Sequence, residues 1–65
     1  MSDRYPILEV VEHGTGHEVC VIVWNVRAIY ETDGVTRIEY LSGDTLDVGM
    51  DLDLVVDLFR HAATP

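Results

Sequence analysis

The dipeptide Asp33-Gly34 constrains this chain more than any other feature. Asp-Gly between two β-rich runs is the pattern of a two-residue hairpin turn, because both central residues of that turn need positive φ. Ile29-Tyr30-Glu31-Thr32 precedes it and Val35-Thr36-Arg37-Ile38-Glu39-Tyr40-Leu41 follows it, both of strand composition. A second turn, His13-Gly14-Thr15-Gly16-His17, separates Ile7-Leu8-Glu9-Val10-Val11-Glu12 from Glu18-Val19-Cys20-Val21-Ile22-Val23-Trp24. Ser42-Gly43-Asp44 leads into Thr45-Leu46-Asp47-Val48, where apolar residues alternate with an acid. Turns this short join antiparallel neighbours. The run Val19 to Trp24 is continuously apolar and predicts a central strand covered on both faces. Trp24 to Ile29 shows no clean alternation.

Gly49 ends the β pattern, and Asp51 then stands where a helix N-cap belongs. Asp53 near the start and Arg60 and His61 near the end suit the helix dipole. Leu52, Val55, Val56 and Phe59 form one apolar stripe at i, i+3, i+4 and i+7, predicting a helix from Leu52 to Ala62. Leu54 and Leu58 form a second apolar pair, turned away from that stripe. It either completes a wide buried face or marks an interface with another chain.

The expected fold is α+β: a small antiparallel four-stranded sheet covered by one C-terminal helix. The strands are 7–12, 18–24, 29–41 with its internal hairpin, and 45–48. Residues 1–65 form a single domain, with 1–6 expected as a flexible N-terminal segment and 63–65 as a flexible tail.

A chain of 65 residues buries only ~60% of its unfolded surface. One core of that size usually needs a disulfide, a metal or a partner chain to hold it. Cys20 is the only cysteine, so no internal disulfide forms, and an association with another chain becomes the expected staple. Twelve Asp and Glu against four Arg and no Lys give a net charge of −8. That balance argues against binding a nucleic-acid backbone or an anionic membrane. The N-terminus lacks the basic and apolar regions of a signal peptide, and the longest apolar run is far below the ~20 residues of a membrane span. The expected location is the cytoplasm.

The order hairpin, Trp24-Asn25-Val26-Arg27-Ala28-Ile29, turn, Thr36 to Val48, then an Asp-capped amphipathic helix resembles the FlbD-like small β-β-α proteins over residues 19–59. Asn25, Ile29, Thr36, Ile38, Gly43, Leu46, Val48 and Val55 match that family's pattern. Leu54 stands where the family usually has a carboxylate, and the N-terminal strand is additional. The resemblance implies a small regulatory or adaptor protein of the kind linked to flagellar operons, binding protein and carrying no established catalytic site.

The groups able to carry chemistry point the same way. His13 and His17 flank a Gly-Thr-Gly turn and read as exposed turn residues, since His61 is the only other imidazole and a structural zinc wants four ligands. Cys20 sits between valines and reads as a core residue. Gly14-Thr15-Gly16 lacks the Lys-Ser/Thr of a phosphate loop. Paired carboxylates such as Glu39 with Asp47, or Asp51 with Asp53, are too numerous to single out a catalytic acid. No catalytic residue, metal ligand set or cofactor is therefore assigned, and the chain is not expected to be an enzyme.

Interface candidates are Leu54, Leu58, Trp24, Tyr30, Tyr40, Arg27 and Arg37. Trp, Tyr and Arg dominate binding hot spots wherever they face outward. The expected function is a non-catalytic acidic adaptor that self-associates, as a dimer first, and docks onto a larger protein. The alternative is a phage-type inhibitor whose acidic surface blocks a basic, nucleic-acid-binding groove on a host or defence protein. A third possibility is a small ligand held between chains.

Overall fold

The computed structural model describes residues 6–64. The chain is α+β, with five strands and one C-terminal helix. Strands β1 (Ile7–Val11) and β2 (Glu18–Ile22) form one antiparallel hairpin. A short 3-10 helix, Val23–Asn25, leads to β3 (Val26–Thr32), β4 (Val35–Tyr40) and β5 (Thr45–Val48), an antiparallel meander. The single four-stranded sheet expected from sequence is thus replaced by sheets of two and three strands. The physical reason lies at residues 23–25, where three residues without alternation coil into a helical turn and interrupt the β path.

Asp33 and Gly34 both have positive φ, 53° and 77°, so the hairpin turn is the type that Asp-Gly favours. Thr32 pairs with Val35, and the register runs on through Ile29 opposite Ile38. It slips once, between Val26 and Ala28.

The core is made by one face of each strand. Leu8, Val10, Val21, Val23, Ile38 and Val48 are buried there, joined by Val55 from the helix. Alternation places Leu8 opposite Val21, Ile38 opposite Ile29 and Leu46, and Val48 opposite Thr36 on this inner side. The two sheets are clasped at one end by an antiparallel bridge between Glu12 and Val48. His13 N–H donates to the Asp47 carbonyl and Gly49 N–H to the Val11 carbonyl there, both at 2.8 Å.

Helix α1 runs Leu52–Ala63. Asp51 occupies the N-cap position with extended backbone, but its carboxylate makes no capping hydrogen bond. The stripe that reaches the core is Val55, Leu58, Phe59 and Ala62, so the helix is rolled relative to the stripe expected from Leu52, Val55, Val56 and Phe59. Pro6 accepts a hydrogen bond from Val23 N–H, and Thr64 donates both its N–H and its hydroxyl to the Arg60 carbonyl. The expected flexibility of residues 1–5 and 65 lies outside the described residues.

Candidate functional site

Alternation in β2 sets up the first surface. Val19 and Val21 face the core, so Glu18, Cys20 and Ile22 must face away from it, and all three are exposed. This corrects two expectations. β2 is an edge strand covered on one face only, and Cys20 is an exposed thiol rather than a core residue. Glu18 shares the parity of Cys20 and Ile22, but the apolar run from Val19 to Trp24 hides the period and leaves the facing to the fold.

Ile22 pairs across the hairpin with Ile7, and both are exposed, at 37% and 49%. Beyond Ile22 the 3-10 turn presents Trp24 at 63% exposure. Leu41, also at 63%, is held to the same turn by its N–H, which donates to the Asn25 carbonyl at 2.8 Å. Four large apolar side chains therefore lie around the corner where the two sheets join. Of these only Trp24 was among the sequence candidates. Ile7, Ile22 and Leu41 each sit in a β-rich run whose facing is settled only by the fold.

The outer face of the three-stranded sheet forms a second surface. Tyr30 pairs with Arg37, and Arg37 with Asp47, in one row across three strands. Arg37 Nε donates to Asp47 Oδ1 at 2.7 Å and its terminal nitrogen to Oδ2 at 3.3 Å, a two-pronged pair. The hydrogen bond and charge of Arg37, helped by His13, hold the Asp47 carboxyl below its ordinary value, although partial desolvation works against them. Arg27 reaches Glu39 at 3.5 Å in the neighbouring row. Both candidate arginines are thus engaged by acids of their own sheet.

The remaining candidates separate. Tyr40 is half-buried against the core, and burial pushes its phenol above the ordinary value. Leu58 packs against the core as well, whereas Leu54 is 49% exposed. The two leucines therefore do not share a free helix face. Leu54 borders an open groove of about 470 Å³ that also touches Val35, Thr36, Met50 and Leu52. A second groove, of about 480 Å³, runs between the last turns of α1 and the hairpin and is lined by Ile7, Glu9, Cys20, Leu58 and His61.

His13 and His17 diverge from their shared turn. His13 borders the first groove, while His17 lies 3.9 Å from Glu12. His61 Nδ1 is hydrogen-bonded to the Asp57 carbonyl at 2.8 Å. Among the described residues no three His, Cys, Asp or Glu side chains converge as a metal cluster, and no helix is long and apolar enough to cross a membrane.

Comparison with protein-family models, with curated proteins and with solved structures finds no match to this chain.

Proposed function

We propose that this chain is a non-catalytic acidic adaptor of the cytoplasm that self-associates and docks onto a larger protein through the corner formed by Ile7, Ile22, Trp24 and Leu41. The carrying observation is that cluster. Large apolar residues scattered singly over a surface need no explanation. Here, however, Ile22 and Trp24 lie beside or within the 3-10 turn, Ile7 pairs with Ile22, and Leu41 is bonded to Asn25 of that turn. Exposed tryptophan is a residue type favoured in interface cores. The resemblance to FlbD-like proteins implies the same kind of role.

Two measurements test the reading. The solution mass, by light scattering after size exclusion at low and high salt, is expected to exceed that of one chain at both. Nile red, a neutral dye that brightens on apolar surface, is expected to bind wild type and to lose most of that signal in Trp24→Ser with Leu41→Ser. A monomer at every concentration would remove self-association, and dye binding indifferent to the double variant would remove the corner.

One observation favours the inhibitor as a second reading. The arginine ion pairs of the described residues engage Glu39 and Asp47, and Glu12 lies 3.9 Å from the His17 ring. Glu9, Glu31, Asp33, Asp51, Asp53 and Asp57 carry no cationic partner among those residues and leave a strongly negative surface. Binding to a basic groove by this surface would weaken steeply as salt rises, whereas binding centred on the corner would change little.

A further inference from the structure

The strand edges of this molecule are protected unequally. β3 pairs only with β4, and its open edge is broken by the register slip at Val26/Ala28 and carries exposed Arg27 and Glu31. Charge and irregularity of this kind are the usual guards of an open edge. The far edges of β1 and β5 are clasped to each other at Glu12 and Val48, and α1 packs beside β1. β2 has none of these devices. It pairs only with β1, contains no proline, bulge or cation, and has one charge, Glu18, at its first position.

The ladder phase shows what that edge offers. Val23 N–H donates to the Pro6 carbonyl and Glu12 N–H to the His17 carbonyl, so the hydrogen-bonded pairs of the hairpin fall at every second residue between them. Val19 and Val21 spend their backbone groups on β1. Glu18, Cys20 and Ile22 turn theirs to the open side. Three donors and three acceptors at alternate positions are their own complement under a two-fold axis. Pairing Cys20 with Cys20 of a second copy places each Glu18 against an Ile22 and satisfies all six groups on both chains.

We propose that β2 is the self-association edge of this protein, pairing antiparallel with β2 of a second copy in the register centred on Cys20. The inference rests on the reading that the chain self-associates, and it names the surface and the partner. The strand is nearly neutral while the whole chain is not, so the contact brings little charge together at its centre yet sets two chains of charge −8 side by side. Added salt therefore strengthens the dimer, opposite to the behaviour of a complex with a basic groove. Five residues a side bury well under the ~1,600 Å² of a standard interface, so the dimer is concentration-dependent. Both Ile22–Trp24 corners stay at the rim, where one larger protein can engage two of them.

The register supplies its own reporter. Paired β residues stand ~5.5 Å apart at Cα, so a short bis-maleimide, which adds one thiol at each end, is expected to link two copies through Cys20. Sedimentation velocity on wild type is expected to show a mass that doubles with concentration, more readily at high salt. Ile22→Pro should stay monomeric: its φ of −79° already suits proline and its N–H is not used by β1. Should that variant unfold, Cys20→Arg sets like charges opposite each other across the dimer while Glu9, its partner on β1, supports the fold. It too should remain monomeric. A dimer that resists the cross-linker and survives both variants would overturn the β2 edge and leave self-association standing. A wild-type monomer at all concentrations and salts would overturn both.

Discussion

The hydroxyl of Thr36 donates to the carbonyl of Met50 at 2.7 Å, joining the middle strand of the meander to the segment that launches the helix. Thr36 is the one buried polar side chain among the described residues. A buried carbonyl stripped of its partner costs about 1–3 kcal/mol. Thr36→Val keeps the shape and removes the donor, and is expected to destabilise by that amount in urea melts with the slope unchanged.

The hairpin turn gives a second expectation, from two glycines that differ in kind. Gly34 has φ +77° with open space where a Cβ would sit, so only backbone strain opposes a side chain there. Gly34→Ala is expected to cost about 1–2 kcal/mol. At Gly49 an added Cβ would meet His13 Cα at 3.6 Å, an ordinary contact, and no positive φ is imposed. Gly49→Ala should fall within about 0.5 kcal/mol of wild type in the same melts.

The roll of the helix is checked by substituting neighbours. Val55 is fully buried and Leu54 half-exposed. Val55→Ala opens a cavity and is expected to cost about 2–3 kcal/mol, while Leu54→Ala changes stability by about 0.5 kcal/mol or less. Equal costs at the two positions would mean that a different face of the helix meets the sheet.

Asp47 makes stability depend on pH in a defined direction. Its carboxyl is held below the ordinary value, first by the hydrogen bond from Arg37. The unfolded chain therefore takes up the proton before the folded one does. The contribution is full above the ordinary carboxylate range and is lost as pH falls through the lowered value. Asp47→Asn is expected to flatten this acid limb of the stability profile, measured by thermal melts across pH, and to leave the neutral region's shape unaltered.

Much of this architecture is legible in the residues. Asp33-Gly34 names its turn type, Gly49 ends the strands, and Asp51 through His61 outline the helix, because these signals act within a few residues of themselves. The facing of β2 was harder. Val19 to Trp24 is apolar throughout, and period two is invisible when both phases are apolar; only the fold decides that Cys20 and Ile22 look outward. The roll of α1 is hidden for the same reason. Leu54, Val55 and Leu58 offer overlapping stripes, and the choice is made by where β1 and β3 lie. Leu41 joins the corner through a backbone bond to Asn25, which no side-chain pattern announces.

The clasp between Glu12 and Val48 bears on the order in which the molecule assembles. Both hairpins close over a few residues and can form early, on the microsecond scale of such elements. The clasp unites the first strand with the last, and its loop-closure entropy must be met before the valines behind it repay the cost. Its formation, together with docking of the helix, is where the transition state is expected. Substitutions at Val48 should therefore slow folding, and so should strain introduced at the Asp33-Gly34 turn, because its hairpin is already formed when the clasp closes.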